Sequence, residues 1–390
     1  MAEVLNTFLA TRSSAVRPRW RPKEARVVGR LLACRTPRLG GHRNACSHGC
    51  GHDEIAYNSC RDRHCPKCQG SAQGDWLAAR QADVLPVPYA HVVFTLPASL
   101  RTLARARPDV LYDRLMRTAA STLSDVAANP RHLGARIGFF AVLHTWGQTL
   151  TYHPHVHCVI PAGGLAPDAA IWKACRPGFF LPVRVLSRLF RGRMLSALRE
   201  AFAQGAFPHV QPNAFNRALQ EAADVEWVVY SKPPFHGPNA VLAYLARYTH
   251  RVAISNHRIL AVDPESVTFL YKSYRSRRTR RQLLSLSEFV RRFLLHVLPI
   301  RFMRIRYYGF MANGCRRRML PRCRAAITGD PDPRDPPATP STSQPQALGP
   351  DSHLLPVRPR ICPACGRGFM RIVQVLERPP PLRRWSRAFA

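Results

Sequence analysis

The sequence predicts an α+β fold in which a central antiparallel sheet is flanked by helices, with a small cysteine-rich module before it and a basic region after it. Three runs rich in apolar and β-branched residues, at 86–97, 136–146 and 149–160, have the composition of strands. The second and third runs follow each other across a tight TYHP segment, which favours a hairpin. Leucines at helical spacing fill residues 98–126 between the first two runs, so strands and helices are mixed along the chain.

The remaining elements follow from local patterns. Residues 71–84 have the amphipathic pattern of a helix that leaves the cysteine-rich module. The run at 179–202 begins extended and becomes a basic amphipathic helix. Another strand is predicted from Glu226, and we expect it to stop at Pro233 because proline cannot donate to a β ladder. Residues 328–358 are rich in Pro, Asp, Ser and Thr, which predicts a disordered linker.

The charge balance indicates a polyanionic partner. Lys and Arg total 58 against 23 Asp and Glu, and the formal net charge of +35 would repel itself without polyanions or counterions nearby. Arginine, which binds phosphate bidentately, far outnumbers lysine, so nucleic acid is the favoured partner, although a GC-rich genome would give the same bias. A membrane surface is the rival, but no apolar span is long enough to anchor the chain. No signal peptide is recognisable, so we expect a cytoplasmic protein whose 12 cysteines bind metal rather than form disulfides.

Half of the cysteines lie in one N-terminal stretch, where their spacing predicts a structural zinc site. Cys46 and Cys50 form a loose pair, and Cys65 and Cys68 form a tight CPKC knuckle. Two such pairs fit one tetrahedral Zn²⁺. Cys60 and several nearby histidines are spare ligands, so a second ion is possible. The alternative is a set of buried thiols in a compact domain.

A further cysteine pair lies near the C-terminal end. Cys362-Pro-Ala-Cys365 is a knuckle of the same kind, but it offers only two ligands. Zinc there would need His353, Cys315, Cys323 or another chain to complete the site.

The segment QTLTYHPHVHCVIPAGG holds a candidate site for a second kind of metal. His155 and His157 flank one residue in a β-prone run, so both side chains leave the same face of a strand, about 6–7 Å apart. Two imidazoles placed in this way can bind one divalent cation, and a metal with open positions suits phosphate chemistry. Gln148 or His144 could supply a third ligand. The alternative is a half-buried strand with satisfied histidines, of which His144 would be an ordinary one.

Residues 238–251 predict a helix that begins with proline and presents two phenols. Tyr244 and Tyr248 are spaced i, i+4, so they project from one face of this helix. A phenol with a pKa of about 10 is a weak nucleophile at neutral pH, but it can attack phosphorus when a metal polarises the phosphate. Arg247 and Arg251 crowd the same turns, which argues against the alternative of an aromatic stripe in the core.

The region 267–308 is very basic, and tyrosines are interleaved with its arginines. That combination suits a groove for single-stranded nucleic acid, where rings stack on bases and guanidinium groups follow phosphates. The alternative is a solvated basic face. The side chains predicted to contact nucleic acid are Lys232, Arg247, Arg251, Arg275, Arg277 and Arg278.

Eight stretches, in a fixed order, span about residues 30–312: LGGH, YNSCRDRHCPKCQ, HVVFTLP, VLHTWGQTLTYHPHVHCVIPAGG, WVVYSKPPF, YLARYTHRVAISNHR, EFVRRFLLHVLP and RIRYYGF. Together they resemble the two-tyrosine HUH rolling-circle transposases of bacterial insertion sequences, in which U denotes a hydrophobic residue. The resemblance implies an enzyme that nicks and rejoins single-stranded DNA, with an HUH endonuclease-like sheet and an N-terminal zinc-binding domain. It also implies Mg²⁺ or Mn²⁺ at His155 and His157, with Tyr244 and Tyr248 as the nucleophiles.

On this interpretation the chain has four segments. Residues 1–84 are the zinc-binding and DNA-binding module, and 85–327 are the catalytic domain with its basic extension. Residues 328–358 are the linker, and 359–390 are a tail that carries the CxxC pair.

Three functional hypotheses remain open. The leading one is a transposase that acts on single-stranded DNA at the ends of its element and at the target. The second is a zinc-dependent DNA-binding protein without catalysis, such as a decayed copy. The third is a plasmid rolling-circle replication initiator, which uses the same chemistry. A covalent 5′-phosphotyrosine adduct would separate the two enzymes from the non-catalytic protein.

Overall fold

The computed structural model describes residues 1–11, 20–167, 171–235, 252–273, 276, 278–330 and 360–380. Of these, the residues within 3–18 and 69–333 form one compact unit, here called the large unit. Those within 19–68 and 334–390 form another, the small unit.

The described helices and strands are mixed along the chain. The helices are α1 (Ala2–Ala10), α2 (Pro22–Ala33), α3 (Pro66–Gln81), α4 (Arg101–Ala106), α5 (Pro108–Ala128), α6 (Val183–Ala203), α7 (Pro212–Ala223), α8 (Leu286–Leu294) and α9 (Arg316–Thr328). The strands are β1 (Gly41–Cys46), β2 (Asp53–Tyr57), β3 (Tyr89–Thr95), β4 (Gly138–Trp146), β5 (Tyr152–Pro161), β6 (Gly163–Leu165), β7 (Trp172–Ala174), β8 (Val229–Phe235), β9 (Ile259–Val262), β10 (Ser266–Lys272), β11 (Thr279–Ser285), β12 (Ile305–Gly309) and β13 (Met370–Leu376).

The large unit is built on a five-stranded sheet with the order β12-β4-β5-β3-β8, and each neighbouring pair is antiparallel. The three apolar runs of the sequence form its three inner strands. This sheet and its flanking helices confirm the predicted α+β class with a central antiparallel sheet. The hairpin of β4 and β5 belongs to the inner part of this sheet. It carries His155 and His157, the pair that the sequence analysis singled out.

The two faces of this sheet have different roles. Alternate residues of the inner strands pack on helices α4 to α7, where Leu143 and Val156 are buried. The ring of Phe94 meets that of Phe190 edge-on, with centroids 4.9 Å apart. Full burial of one such side chain stabilises a fold by about 1.5–3 kcal/mol. Because side chains alternate between faces, this core fixes the register and directs the residues between these positions to the opposite face.

The predicted helix over 98–126 is divided in the structure. Helix α4 ends before Arg107, whose backbone has φ −134° and ψ 75°, outside the helical region. Helix α5 then begins at Pro108. Proline suits a first helical position, because its φ is already helical and its missing N–H would have no partner there.

Strand β8 continues past the point where the sequence predicted its end. It runs through Pro233 to Phe235 and, among the described strands, pairs with β3 alone, at one edge of the sheet. The pairing is irregular between Tyr89 and His91, opposite the two prolines. An edge strand tolerates proline because one side of its backbone needs no ladder partner.

The small unit contains residues from both halves of the chain. Its sheet has the order β13-β1-β2, with Cys46 opposite Met370 and Gly41 opposite Leu376. The C-terminal segment, predicted as a separate tail, therefore covers an edge of the β1–β2 hairpin. Backbone N–H and C=O groups at such an edge would otherwise lack ladder partners. Of the predicted linker at 328–358, Thr328 is the last residue of α9, and residues 331–358 lie outside the described residues.

The border between the units lies at residues 68 and 69, earlier than the predicted border at 84. The later part of α3 belongs to the large unit because Trp76 packs edge-on against Phe140, with centroids 5.9 Å apart. The indole of Trp76 also donates a hydrogen bond to the hydroxyl of Tyr307 over 3.2 Å. None of the described helices is both long and apolar enough to cross a membrane.

Candidate functional site

Three histidines meet on the sheet face opposite the helix-packed core. His155 and His157 leave the same face of β5, as their spacing predicts, and His144 of β4 lies opposite His155 in the ladder. The three side chains each offer a nitrogen, and these nitrogens lie within 4.8 Å of one another. This group, the histidine cluster, has the donor number and spacing for one metal ion with further positions open.

Neighbouring groups fix the orientation of these rings. The carbonyl of His153 can only accept a hydrogen bond, so the Nδ1 of His155, 2.6 Å away, carries the proton. The Nε2 of His155 therefore keeps its lone pair for a metal. His144 is buried and stacks on Trp146, with ring centroids 4.6 Å apart. The described residues thus fit a bound divalent cation.

His91 of β3 lies beside the histidine cluster, and the sequence analysis did not single it out. Its Nε2 lies 2.9 Å from Nδ1 of His157, and the two rings are parallel with centroids 5.1 Å apart. Burial, together with the charge of Lys232, lowers the pKa of His91 to about 3, so this ring is neutral at physiological pH. A neutral imidazole can accept a proton from Nδ1 of His157, which would leave the Nε2 of His157 free for metal.

Gln148 and His144 were the open choices for a third ligand. His144 lies in the histidine cluster. The side-chain oxygen of Gln148 instead accepts a hydrogen bond from the backbone N–H of Lys272 over 3.5 Å. The cluster therefore has three donors without Gln148.

The turn between β4 and β5 is held by side chains from later in the chain. Three successive backbone carbonyls of the turn accept hydrogen bonds. Arg258 donates to the carbonyl of Gln148, and Arg292 donates to that of Thr149 over 3.1 Å. The Nε2 atom of His296 donates to the carbonyl of Leu150, also over 3.1 Å. Leu150 is fully buried and has a φ of +59°, a strained value for a branched residue. These contacts, here called the turn clamp, hold a conformation that the local sequence disfavours.

Edge strand β8 adds a cation and an aromatic ring on the histidine face. Lys232 lies opposite His91, and Tyr230 lies opposite Val93, which in turn lies opposite His157. Residues opposite each other in a ladder share a face. Lys232 is exposed, and the side chain of Tyr230 is 55% exposed. Both therefore lie on the sheet face that carries the histidine cluster.

Other predicted nucleic-acid contacts are only partly described. Arg278 is exposed at the end of the β10–β11 hairpin. The predicted nucleophiles and the remaining predicted contacts lie outside the described residues: Tyr244, Tyr248, Arg247, Arg251, Arg275 and Arg277.

Part of the predicted basic groove is engaged within the fold. Glu288 forms ion pairs with Arg291 and Arg292, at 2.6 and 2.7 Å. Tyr308 stacks on Phe139, with ring centroids 5.2 Å apart. These side chains make contacts within the large unit, so the predicted groove for nucleic acid cannot be built from them.

The small unit holds two groups of four cysteines. In the first, Cys34, Cys60, Cys65 and Cys68 offer sulfurs within 4.8 Å of one another. Hydrogen bonding from the Cys60 thiol lowers the pKa of Cys65 to about 5, which favours the thiolate that a metal binds. Four thiolates with this spacing have the composition of a structural zinc site.

The second group joins distant parts of the chain. Cys46, Cys50, Cys362 and Cys365 also lie within 4.8 Å of one another. Backbone N–H groups of Gly368 and Arg367 lower the pKa of the Cys365 thiol to about 6. Gly368 leaves the room that this packing needs, since a Cβ there would lie 2.6 Å from the sulfur of Cys46.

The predicted zinc site is therefore corrected in its pairing. Cys46 and Cys50 were grouped with Cys65 and Cys68, but the structure divides the two pairs between the two clusters. The reason is the ladder between β1 and β13, which brings the C-terminal knuckle beside Cys46.

The sequence matches two family models and is similar to named transposases. The sequence model of a family described as "Putative transposase" matches residues 138–318, and that of the "Transposase zinc-binding domain" matches residues 3–96. The chain is 48% identical to "Putative transposase y4qJ" of Sinorhizobium fredii (strain NBRC 101917 / NGR234), over 91% of this chain and 90% of the relative. It is 30% identical to the "Transposase for insertion sequence element IS801" of Pseudomonas savastanoi pv. phaseolicola, over 80% of this chain and 76% of the relative. No solved structure matches.

The two family matches lie where the structure places the two kinds of cluster. The zinc-binding match covers the first cysteine group and half of the second, and the transposase match covers all three residues of the histidine cluster. The relatives extend the likeness over most of the chain. The chain thus belongs to the IS91 family of insertion-sequence transposases, with an N-terminal transposase zinc-binding domain.

Proposed function

We propose that this transposase nicks and rejoins single-stranded DNA by metal-dependent attack of a tyrosine, in the rolling-circle transposition of an insertion sequence. Membership of the family implies an enzyme that cuts and transfers DNA. The observation that carries the finer proposal is the histidine cluster, whose three nitrogens lie within 4.8 Å of one another on the β4–β5 hairpin. Its site of action would be DNA in the bacterial cytoplasm.

The proposed cation at the histidine cluster is Mn²⁺ or Mg²⁺. Bound there, it would supply positive charge that polarises the scissile phosphate. Since all three donors are nitrogens, we expect Mn²⁺ to bind more tightly than Mg²⁺, which prefers oxygen ligands. The zinc is proposed to be separate and structural, with one Zn²⁺ in each cysteine cluster.

The proposed nucleophiles are Tyr244 and Tyr248, on the strength of the family resemblance. The phenol oxygen of one tyrosine attacks phosphorus, its proton leaves, and the 3′-hydroxyl of the cut strand departs. The product is a 5′-phosphotyrosine, so the energy of the broken phosphodiester is conserved and rejoining needs no ATP. One tyrosine would cut the origin end of the element, and the other would accept the second cleavage.

The test is formation of the covalent adduct. The full chain, with Mn²⁺ and a single-stranded oligonucleotide carrying an end of the element, should form a species that resists SDS. The double variant Tyr244→Phe, Tyr248→Phe should form none. The double variant His155→Ala, His157→Ala should also form none while still binding the oligonucleotide. As a matched control, His132→Ala with His209→Ala removes two exposed histidines and should leave the adduct unchanged.

Two results would contradict the proposal. An adduct that persists in the tyrosine double variant would show that another group is the nucleophile. Full adduct formation without the histidine pair would show that the cluster is not the metal centre. A protein that binds DNA but forms no adduct under any metal would be the non-catalytic DNA-binding protein.

A further inference from the structure

The small unit contains a cavity with an unusually basic wall. Its volume is about 930 Å³, within the range of natural ligand sites. Four of its lining residues are arginines, and none is a carboxylate. The arginines are Arg30, Arg35, Arg61 and Arg378, and the wall between them includes His42 and Tyr57.

The first cysteine cluster determines where two of these arginines lie. Arg35 directly follows Cys34, and Arg61 directly follows Cys60. Both arginines have a positive φ, of 56° and 50°, which costs a residue with a Cβ on the order of 1 kcal/mol or more. Glycine would fit the backbone better at both positions, so the arginine side chains occupy strained positions beside the cluster.

Most of the positive charge in the cavity lacks a neutralising partner. Arg30 lies 3.6 Å from the carboxylate of Asp62. Among the described residues, Arg35, Arg61 and Arg378 form no ion pair. The cavity therefore presents several donors to a ligand that brings negative charge.

Both ends of the chain build the cavity. Arg378 comes two residues after β13, the strand that pairs with β1. Tyr57 ends β2, on the other side of β1. The C-terminal segment therefore contributes a cation to a cavity whose remaining lining residues lie in the N-terminal part of the chain.

We infer that this cavity binds one nucleotide of a DNA strand, with its phosphates on Arg35, Arg61 and Arg378 and its sugar and base against Tyr57. The inference deepens the proposed function, because it rests on DNA as the partner. Guanidinium groups bind phosphate oxygens bidentately, and an aromatic ring offers a stacking surface to any base. The site is independent of sequence and of the histidine cluster.

The test compares two variants of the full chain that lose the same charge. Arg35→Gly with Arg61→Gly removes the two guanidinium groups and suits the backbone at both positions, so folding should be kept. Arg367→Ala with Arg371→Ala removes two exposed arginines of the same unit that do not line the cavity. Binding of a labelled oligothymidylate is measured by fluorescence anisotropy over a series of salt concentrations, without added Mg²⁺ or Mn²⁺, so that no cleavage takes place.

We expect the affinity of the cavity variant to fall about tenfold or more at moderate salt. The slope of log affinity against log salt should fall by about 1.4, since each phosphate contact contributes about 0.7 for single strands. The control variant should lose much less affinity. The zinc content, measured on the same samples, should be equal in both variants.

Equal losses in the two variants would overturn the inference, because they would mean that the net charge alone binds DNA. Unchanged affinity in the cavity variant would overturn it as well. Either result could occur while the wild-type chain still forms the tyrosine adduct, so failure of this inference is distinguishable from failure of the proposed function.

Discussion

A fourth imidazole ring contacts the histidine cluster without being one of its three donors. His91 lies on the neighbouring strand, buried, with its Nε2 atom 2.9 Å from Nδ1 of His157. Partners of this kind fix the tautomer of a metal-binding imidazole and its orientation. His91 therefore has the geometry of a residue that positions His157 for the metal.

Replacing His91 should weaken metal binding without unfolding the sheet. His91→Leu fills similar space but offers no acceptor, so we expect Mn²⁺ affinity to fall about 10–100-fold. His91→Gln keeps an acceptor and should lose less. Electron paramagnetic resonance of free Mn²⁺ measures the affinity directly, without any assay of cleavage. Wild-type affinity in both variants would mean that the contact plays no part in metal binding.

Tyr230 is the exposed aromatic ring on the histidine face, and we predict that it stacks on a base. Tyr230→Ala should weaken binding of single-stranded DNA by about 1–3 kcal/mol, the usual contribution of one stacked base. Tyr230→Phe keeps the ring and should bind almost as the wild type does. The measurement is an equilibrium titration of an oligonucleotide without divalent cations. If the two variants bind equally, stacking by this ring is excluded.

At the scale of elements, the turn clamp connects the β4–β5 hairpin to the region after β8. Arg258, Arg292 and His296 donate to three successive carbonyls of the turn. The clamp holds the ends of the two strands that carry the histidine cluster. Sub-ångström displacement of those strands would change the spacing of the donors, so the clamp helps to set the geometry of the site.

Two adjacent arginines allow the clamp to be tested. Arg291 and Arg292 both pair with Glu288, but of these two described arginines only Arg292 donates a hydrogen bond to the carbonyl of Thr149. Arg292→Met should therefore lower the free energy of unfolding by about 1 kcal/mol more than Arg291→Met, the usual contribution of one hydrogen bond. Urea unfolding followed by tryptophan fluorescence measures the difference. Equal losses would show that Glu288, and not the turn, is the important partner.

Local patterns predicted much of the sheet and part of the site. Runs of apolar and β-branched residues indicated β3, β4 and β5, and the spacing of His155 and His157 put both side chains on one face. The end of β8 was misplaced because the sequence did not show that this strand lies at an edge, where Pro233 is tolerated. Edge position is a property of the whole sheet, so no local pattern contains it.

Contacts between distant residues could not be predicted from the sequence. His91 and His157 are 66 positions apart, and only the register of β3 on β5 brings them together. The cysteine clusters raise the same difficulty, since Cys50 and Cys362 are 312 positions apart. Residue type and spacing identify ligands within one segment, but they do not state which segments share an ion.

At the scale of the whole molecule, the two cysteine clusters differ in how they are built. The first uses residues 34 to 68 alone, whereas the second takes two ligands from each end of the chain. Metal binding to such sites contributes to folding, because the thiolates are not gathered in the unfolded chain. The second cluster should therefore hold the C-terminal segment on the small unit.

The zinc content of purified protein tests this arrangement. The full chain should contain two zinc ions, and Cys362→Ser with Cys365→Ser should contain one. Cys175→Ser with Cys315→Ser removes two cysteines that lie in neither cluster, and it should retain two ions. Elemental analysis by mass spectrometry gives the numbers. Two ions in the variant at 362 and 365 would show that other ligands complete the second site.

The wide separation of Cys50 and Cys362 has a consequence during synthesis. The histidine cluster can assemble while the polypeptide is still attached to the ribosome, but the second cysteine cluster must wait until residues 362 and 365 have emerged. The arginine-lined cavity waits for Arg378 in the same way. Products of translation that stops before Arg378 would therefore carry the hairpin with the histidine cluster but not the complete cavity, so the proposed nucleotide contact would need translation beyond this residue.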